Sequence, residues 1–269
     1  MCDACVIDAV KQKMLSRRAL LGGTVATAGL AIAPIQPAQA NAPRQFFDMT
    51  HAISSNFPTY YGYSGLRYRR LARYNRDGYN SYNLEISEHL GTHIDAPLHF
   101  SEDGKSVDQI EVNDLICPLV VIDIRDRSIS DPDTMLTPDD VRAWTRRHGP
   151  IPDGACVAMN SGWGNRVWTE GFRNADRRGV QHYPGFHPEA AEMLLEETHA
   201  AAIASDTLSI DRGMSEDFGT HYTWLPANRY GIECLAGLEQ VPDAGATLIV
   251  GASKVIGSTG GQARIFAMV

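Results

Sequence analysis

The chain has 269 residues, 43% of them apolar, enough to bury the core of one large domain or two small ones. Its formal charge of -8 disfavours a nucleic-acid groove, which needs clustered Lys and Arg against phosphates, and it disfavours docking on anionic lipid. Residues 1–40 hold four basic side chains against two acidic ones, so the remainder is more acidic than the total.

The first element in chain order is an export signal. Ser16-Arg17-Arg18-Ala19-Leu20-Leu21 opens an apolar stretch from Ala19 to Ile35, and Pro37-Ala38-Gln39-Ala40 supplies a small-x-small cleavage site. The paired arginines and the mild, Gly- and Thr-containing apolar region resemble the twin-arginine type, a route that carries folded proteins. The stretch is shorter than the ~20 apolar residues of a membrane span, which favours cleavage near Asn41 over an uncleaved anchor. The expected organisation is a signal over residues 1–40 and one mature domain over 41–269. That places the protein in the periplasm or outside the cell, with no stable membrane association after cleavage. Cys2 and Cys5 would be lost with the signal. Cys117, Cys156 and Cys234 sit in apolar settings and read as buried free thiols, not as a disulfide framework.

Phe46 to Thr50 reads as a first strand. Residues 56–80 read as loop, with Pro58, Gly62, Gly65 and Gly78 among many aromatics. Tyr82, Leu84 and Ile86 alternate with polar residues, a strand pattern. Leu119 to Ile124 is a β-branched run typical of a buried strand. Pro138 to His148 reads as a helix with Thr137 as N-cap and proline at its first position. Ala155 to Asn160 is another strand. Pro188 to Thr198 is helical, with Ala191, Leu194 and Leu195 on one face. Strands follow at Ala200 to Ala204, Thr247 to Val250 and Arg264 to Met268. The expected class is a β-rich α/β domain without a regular βαβ alternation.

Chemistry concentrates in His89-Leu90-Gly91-Thr92-His93-Ile94-Asp95-Ala96-Pro97-Leu98-His99. Imidazole and carboxylate bind transition-metal dications and move protons near neutral pH. His89, His93, Asp95 and His99 are all odd-numbered, so a straight strand would set them on one face. It could not gather them: at ~3.3 Å per residue His89 and Asp95 would lie ~20 Å apart, against metal–ligand bonds of ~2 Å. Gly91 and Pro97 oppose a helix. The chain must bend, with Gly91 as the hinge and Pro97 setting the turn that presents His99. Burying so many polar groups beside Ile94, Ala96 and Leu98 costs several kcal/mol unless a metal or partners compensate.

The segment resembles the cyclase family of metal-dependent hydrolases, which includes bacterial kynurenine formamidases and isatin hydrolases. The family pattern H-x-G-T-H-x-D-x-P-x-H stands at residues 89–99 without a mismatch. A second family element, a His followed twelve residues later by a Glu, is met by His221 and Glu233. Asp48 to Ser54, Tyr183-Pro184-Gly185-Phe186 and Asp206 to Asp211 also look familial, so the resemblance spans nearly all of residues 46–269. It implies a swivelling β/β/α single domain, usually a dimer or higher oligomer. It implies that His89, His93 and Asp95 bind one metal, and that Asp95 bridges to a second completed by His221 and Glu233. The ions would be divalent, Zn or Mn, since no thiolate is offered. His99 matches the general acid/base, a role suited to a pKa near 6.5. Tyr60 stands nearest to where formamidases carry a substrate-contacting Trp. Glu233 is followed by Cys234 and Leu235 where the family often has Asn and then Leu.

The remaining polar residues receive plainer readings. His51, His148, His182, His187 and His199 lack ligand spacing and read as surface or capping residues, with His182 close enough to Tyr183 to reach a pocket. Ser161-Gly162-Trp163-Gly164 reads as a loop bordering substrate. Cys234 lacks an activating partner for nucleophilic work. The expected function is an exported hydrolase that opens a small non-peptide amide, linear or cyclic, by metal-activated water. The alternatives are a periplasmic metal- or ligand-binding protein without turnover, and a cyclase acting on a lactone or polyketide-type substrate. His99 separates them: a pure metal binder needs no proton carrier beyond its ligands.

Overall fold

The computed structural model describes residues 44–269; the stretch expected to be an export signal, with Cys2 and Cys5, lies outside them. Its strands in chain order are β1 (Phe46–Asp48), β2 (Leu66–Ala72), β3 (Ser81–Ile86), β4 (His93–Asp95), β5 (Ile116–Asp123), β6 (Met135–Leu136), β7 (Cys156–Asn160), β8 (Gly185–Phe186), β9 (Ala202–Ser205), β10 (Tyr230–Glu233), β11 (Ala246–Ala252) and β12 (Gly260–Met268). The main sheet runs β12-β11-β5-β7-β9-β10-β4, and β4 pairs back onto β12. That return closes a seven-stranded barrel, with β1 added beside the far end of β12.

The alternation along β5 shows how the layers form. Cys117, Leu119 and Val121 join a core with Cys156, Ala158, Ala202, Ala204 and Ile232, inside the closed sheet. Val120 and Ile122 point the other way, onto helices α1 (Pro138–His148) and α2 (Pro188–Glu197) through Val141, Trp144, Ala190 and Leu194. A strand buried on both faces reads as a continuous apolar run, as this one does. The inner core is dominated by small side chains, which suits a narrow barrel.

Helix α1 begins where expected. The Asp140 carboxylate accepts from the Thr137 backbone N–H and hydroxyl, each at 2.8 Å, and Pro138 opens the first turn. Helix α2 ends one residue early, at Glu197. His187 caps it, its Nδ1 accepting from Glu189 N at 3.2 Å. A third helix, α3 (Gly219–Trp224), precedes β10.

Two expectations are corrected. β5, β7, β9 and β10 are successively parallel, with α1, α2 and α3 between them, so the middle of the chain is a βαβ alternation. The six-residue α3 is too short for its periodicity to be read. Residues 56–80 are not all loop: β2 pairs with β3 as a two-stranded antiparallel arm that joins no other sheet. The middle of β2 is exposed on both faces, so β2 lacked the half-buried alternation that marks a strand.

Candidate active site

The site is built on the strand that closes the barrel. In β4, Ile94 points into the inner core while His93 and Asp95 point to the opposite face. β10 runs antiparallel beside it, setting Glu233 directly opposite His93 and Gly231 opposite Asp95. On the other side, Gly260 of β12 faces Asp95. Asp95 thus has a glycine on each neighbouring strand, which leaves room above it for other ligands. A Cβ at position 260 would stand 2.6 Å from His89 Cε1 and 2.8 Å from Ile94 O, so only glycine fits there. The bends fall where the motif needs them: Gly91 has φ +67°, and Pro97 opens a 3₁₀ turn that ends at His99.

His221 comes from α3, and Asp211 holds it. The Asp211 carboxylate accepts from Thr220 N at 2.8 Å and His221 N at 3.2 Å, and lies 2.5 Å from His221 Nδ1. This contact commits Nδ1 and turns Nε2 toward the site. His93 Nδ1 donates to Gly91 O at 2.8 Å, which likewise leaves Nε2 facing inward. His93 Nε2 lies 3.3 Å from both Asp95 Oδ1 and Glu233 Oε2. His221 Nε2 lies 3.5 Å from Asp95 Oδ2 and 3.3 Å from Glu233 Oε1. His89 Nδ1 lies 2.6 Å from Asp95 Oδ1. All five residues assigned as ligands from the family motif therefore converge on one point.

The electrostatics describe a cage that wants positive charge. Burial opposes protonation of His93, but Asp95 and Glu233 outweigh it and lift its pKa to about 10. Burial would raise Asp95 too, yet His221, His89 and His93 hold it well below the usual carboxylate range. Among the described residues, His93 Nε2 and Asp95 Oδ2 are buried and have no hydrogen-bond partner. Buried polar atoms of that kind call for a ligand, and a dication satisfies both. Two sets of donors lie within 4.8 Å of one another: His89, Asp95 and His99, and His93, Asp95 and Glu233. Asp95 is common to both sets. The grouping differs from the family-based one, pairing His93 with Glu233 and bringing His99 within reach of His89. The donors are nitrogen and oxygen only, which suits a divalent metal ion.

Above the cage lies a cavity of about 360 Å³. Tyr60 lines it, as do Tyr61, Tyr63, Phe100, Leu208 and Phe218. His99 also faces the cavity, its ring stacked on His89 at 4.0 Å between centroids. Burial, with the neighbouring His89 and His221, overrides Asp95 and Glu233 and pulls its pKa from 6.5 to about 4. His99 is therefore neutral at neutral pH, further from an even poise than the sequence suggests. Cys234 borders the cavity, but burial and the nearby Glu233 and Asp95 keep its thiol protonated and unreactive.

Several expectations fall away. Ser161 is buried with its Oγ 2.5 Å from Asp206 Oδ1, and residues 161–164 do not border the cavity. His182 pairs with Asp133 at 2.8 Å and does not reach the cavity either. His51 is no surface residue; it packs against Phe57 and Phe172. Sequence reasoning gave no role to Asp211, although it belongs to a stretch that looked familial. Phe100 and Phe218 were missed, and nothing in their local sequence distinguishes them from core aromatics.

A buried His/Asp/Glu cage beneath an apolar cavity is a place where a divalent ion could meet a small organic substrate. The Putative cyclase family model matches residues 47–212, and the chain belongs to that family. The chain is 36% identical to the isatin hydrolase of Roseibium aggregatum over 212 residues, which span 74% of this chain and 80% of that protein. It is 24% identical to the kynurenine formamidase of Salinibacter ruber over 221 residues, 81% of this chain and 94% of the relative. The structure of isatin hydrolase A from Labrenzia aggregata bound to benzyl benzoate matches with a TM-score of 0.78 at 33% identity, covering 84% of this chain and 94% of the other. An isatin hydrolase bound to the product analogue thioisatinate gives the same TM-score at 28% identity, covering 100% and 99%. With these relatives, the chain is a metal-dependent hydrolase of carbon–nitrogen bonds other than peptide bonds.

Proposed function

We propose that the protein opens a small aromatic amide, cyclic or linear, and that His89, His93, Asp95, His221 and Glu233 would hold the divalent ions, Zn or Mn, with Asp95 common to both donor sets. The observation that carries this reading is His99 facing the same cavity as the cage, its ring stacked on His89. When bound, the ions supply Lewis-acid polarisation of the carbonyl and a more acidic water. His99 accepts a proton as the water oxygen bonds to the carbonyl carbon. As the carbon–nitrogen bond breaks, it returns that proton to the leaving nitrogen. The products are an amine and a carboxylic acid, which loses its proton to solvent at neutral pH, joined in one molecule when the amide is cyclic. The cavity volume suits a one- or two-ring substrate, and Tyr60 offers it an aromatic face. The test is metal analysis of the purified protein, paired with turnover of isatin, N-formylkynurenine and cyclic imides. A protein that binds metal tightly but turns over no amide is a binder, and the reading fails.

The protein acts after export. Arg17-Arg18, the apolar stretch and Pro37-Ala38-Gln39-Ala40 support this. Intact-mass analysis of the periplasmic fraction should find a chain beginning near Asn41, and R17K/R18K should keep the precursor in the cytoplasm. A full-length chain in the cytoplasm of wild-type cells overturns it.

The protein also works as an assembly of copies, a dimer or tetramer. The arm of β2 and β3 exposes Tyr68, Leu71, Tyr74, Tyr79, Tyr82 and Leu84. Residues 66–86 carry five arginines against Asp77 and Glu85, on a chain of net charge -8. An isolated two-stranded ribbon is marginally stable in water; the acidic body of a second copy complements it in charge and covers its apolar face. Light scattering should give the mass of two or four chains, and a monomeric wild type at micromolar concentration overturns this.

A further inference from the structure

We infer that Glu88 and Thr259 are positioning residues that hold His89 in the tautomer offering Nδ1, not Nε2, to a metal. The inference rests on the proposed metal cage. His93 and His221 each commit Nδ1 to an outer partner and turn Nε2 inward. His89 is reversed: Nδ1 lies 2.6 Å from Asp95 Oδ1, and Nε2 lies 3.2 Å from Thr259 Oγ1.

Which atom carries the proton follows from Glu88. The Thr259 hydroxyl donates to Glu88 Oε2 at 2.6 Å, and Thr259 N points to the same oxygen at 3.3 Å. A hydrogen bond to a carboxylate is the stronger of the two open to that hydroxyl. Its single hydrogen is thereby committed, and Oγ1 meets His89 Nε2 only as an acceptor. His89 must place a proton on Nε2, so the nitrogen that faces the cage is Nδ1, where a dication would replace the proton that Nδ1 donates to Asp95 Oδ1 at 2.6 Å.

The relay is braced from both sides. Gln262 Nε2 donates to Glu88 O at 3.0 Å, tying residue 88 to β12. Gly260 lets the strand pass beside the imidazole edge, where any Cβ would stand 2.6 Å from Cε1. His99 stacks on the same ring, nearly parallel at 24°, so a fixed His89 imidazole gives His99 a surface to pack against.

The test compares T259V, T259S and E88Q with wild type by Zn²⁺ affinity in chelator competition. Long-range ¹⁵N–¹H correlation spectra of the histidine rings give the tautomer. T259V keeps the shape and loses the hydroxyl; it should bind zinc ~10- to 100-fold more weakly and lower kcat with KM held. T259S should restore both. In zinc-loaded wild type, His89 Nε2 should carry the proton. Wild-type zinc affinity in T259V, or a proton on Nδ1 in the loaded protein, overturns the inference. Should T259V fail to fold, E88Q against T259S gives the same reading. A wild type that binds no dication overturns the metal reading instead. The metal-free spectrum then still decides this inference, because Thr259 requires a proton on His89 Nε2 there and an unprotonated Nε2 refutes it.

Discussion

At the floor of the cavity, His93, Asp95, His221 and Glu233 are all buried on β4, β10 and α3. At its mouth, Tyr61 and Tyr63 are 72% and 60% exposed and lead into an arm that joins no other sheet. The floor must hold donor atoms at set separations, so it draws on paired strands and on a helix whose His221 is anchored by Asp211. The mouth must accommodate a substrate, so it draws on a loop with room to adjust. Chemistry and selectivity are thereby assigned to parts of the fold with different rigidity. Change at the mouth can alter what enters without disturbing the cage.

The sharpest way to break this contrast is to empty the floor. D95A should release metal and abolish turnover, checked by elemental analysis and assay; retained metal would show that Asp95 is not shared between the donor sets. H99A should lower kcat by ~10²- to 10⁴-fold, the range of a general acid/base, while metal content holds. Loss of metal in H99A would make His99 a ligand. G260A should cost ~1–3 kcal/mol through overpacking against His89 and Ile94 O, read by denaturant titration. On the arm, Y82D/L84D should convert the assembly to monomers in light scattering and lower the denaturation midpoint, because the partner copy no longer stabilises the folded chain. The smallest effect is in the pH profile. With its pKa lowered to about 4, His99 stays an unprotonated base through the mildly acidic range, so the acid limb of kcat/KM set by His99 should lie below pH 6.5 and toward 4. A limb at or above 6.5 would mean that His99 is not buried and neutral in the working enzyme.

The floor was largely legible in the sequence, and the mouth was not. His89, His93, Asp95 and His99 stand in one run, and their spacing alone demanded bends at Gly91 and Pro97, both found. His221 and Glu233 carried no chemical signal by themselves; family resemblance supplied them. Their place in the cage depends on the β4–β10 register, which no local pattern reveals. Asp211 and Thr259 act on ligands through contacts across 10 and 170 residues, beyond any periodicity. β2 was read as loop because an exposed ribbon shows no burial alternation. Phe100 and Phe218 become cavity walls only once the 3₁₀ turn and α3 are in place.

β4 is three residues long and bonds to β10 on one edge and β12 on the other, so it is the seam of the barrel. The site straddles that seam: the donors His93 and Asp95 lie on it and Glu233 across one edge, while Thr259, which meets His89 Nε2, leads into the strand across the other. An ion held there would latch the cylinder shut as well as serve the reaction. By mass action a ligand at a hundred times its dissociation constant adds about 2.7 kcal/mol to the folded state. Chelation should then loosen the cylinder locally, and amide exchange at Ile94 and Ile232 should quicken before the helical layer responds.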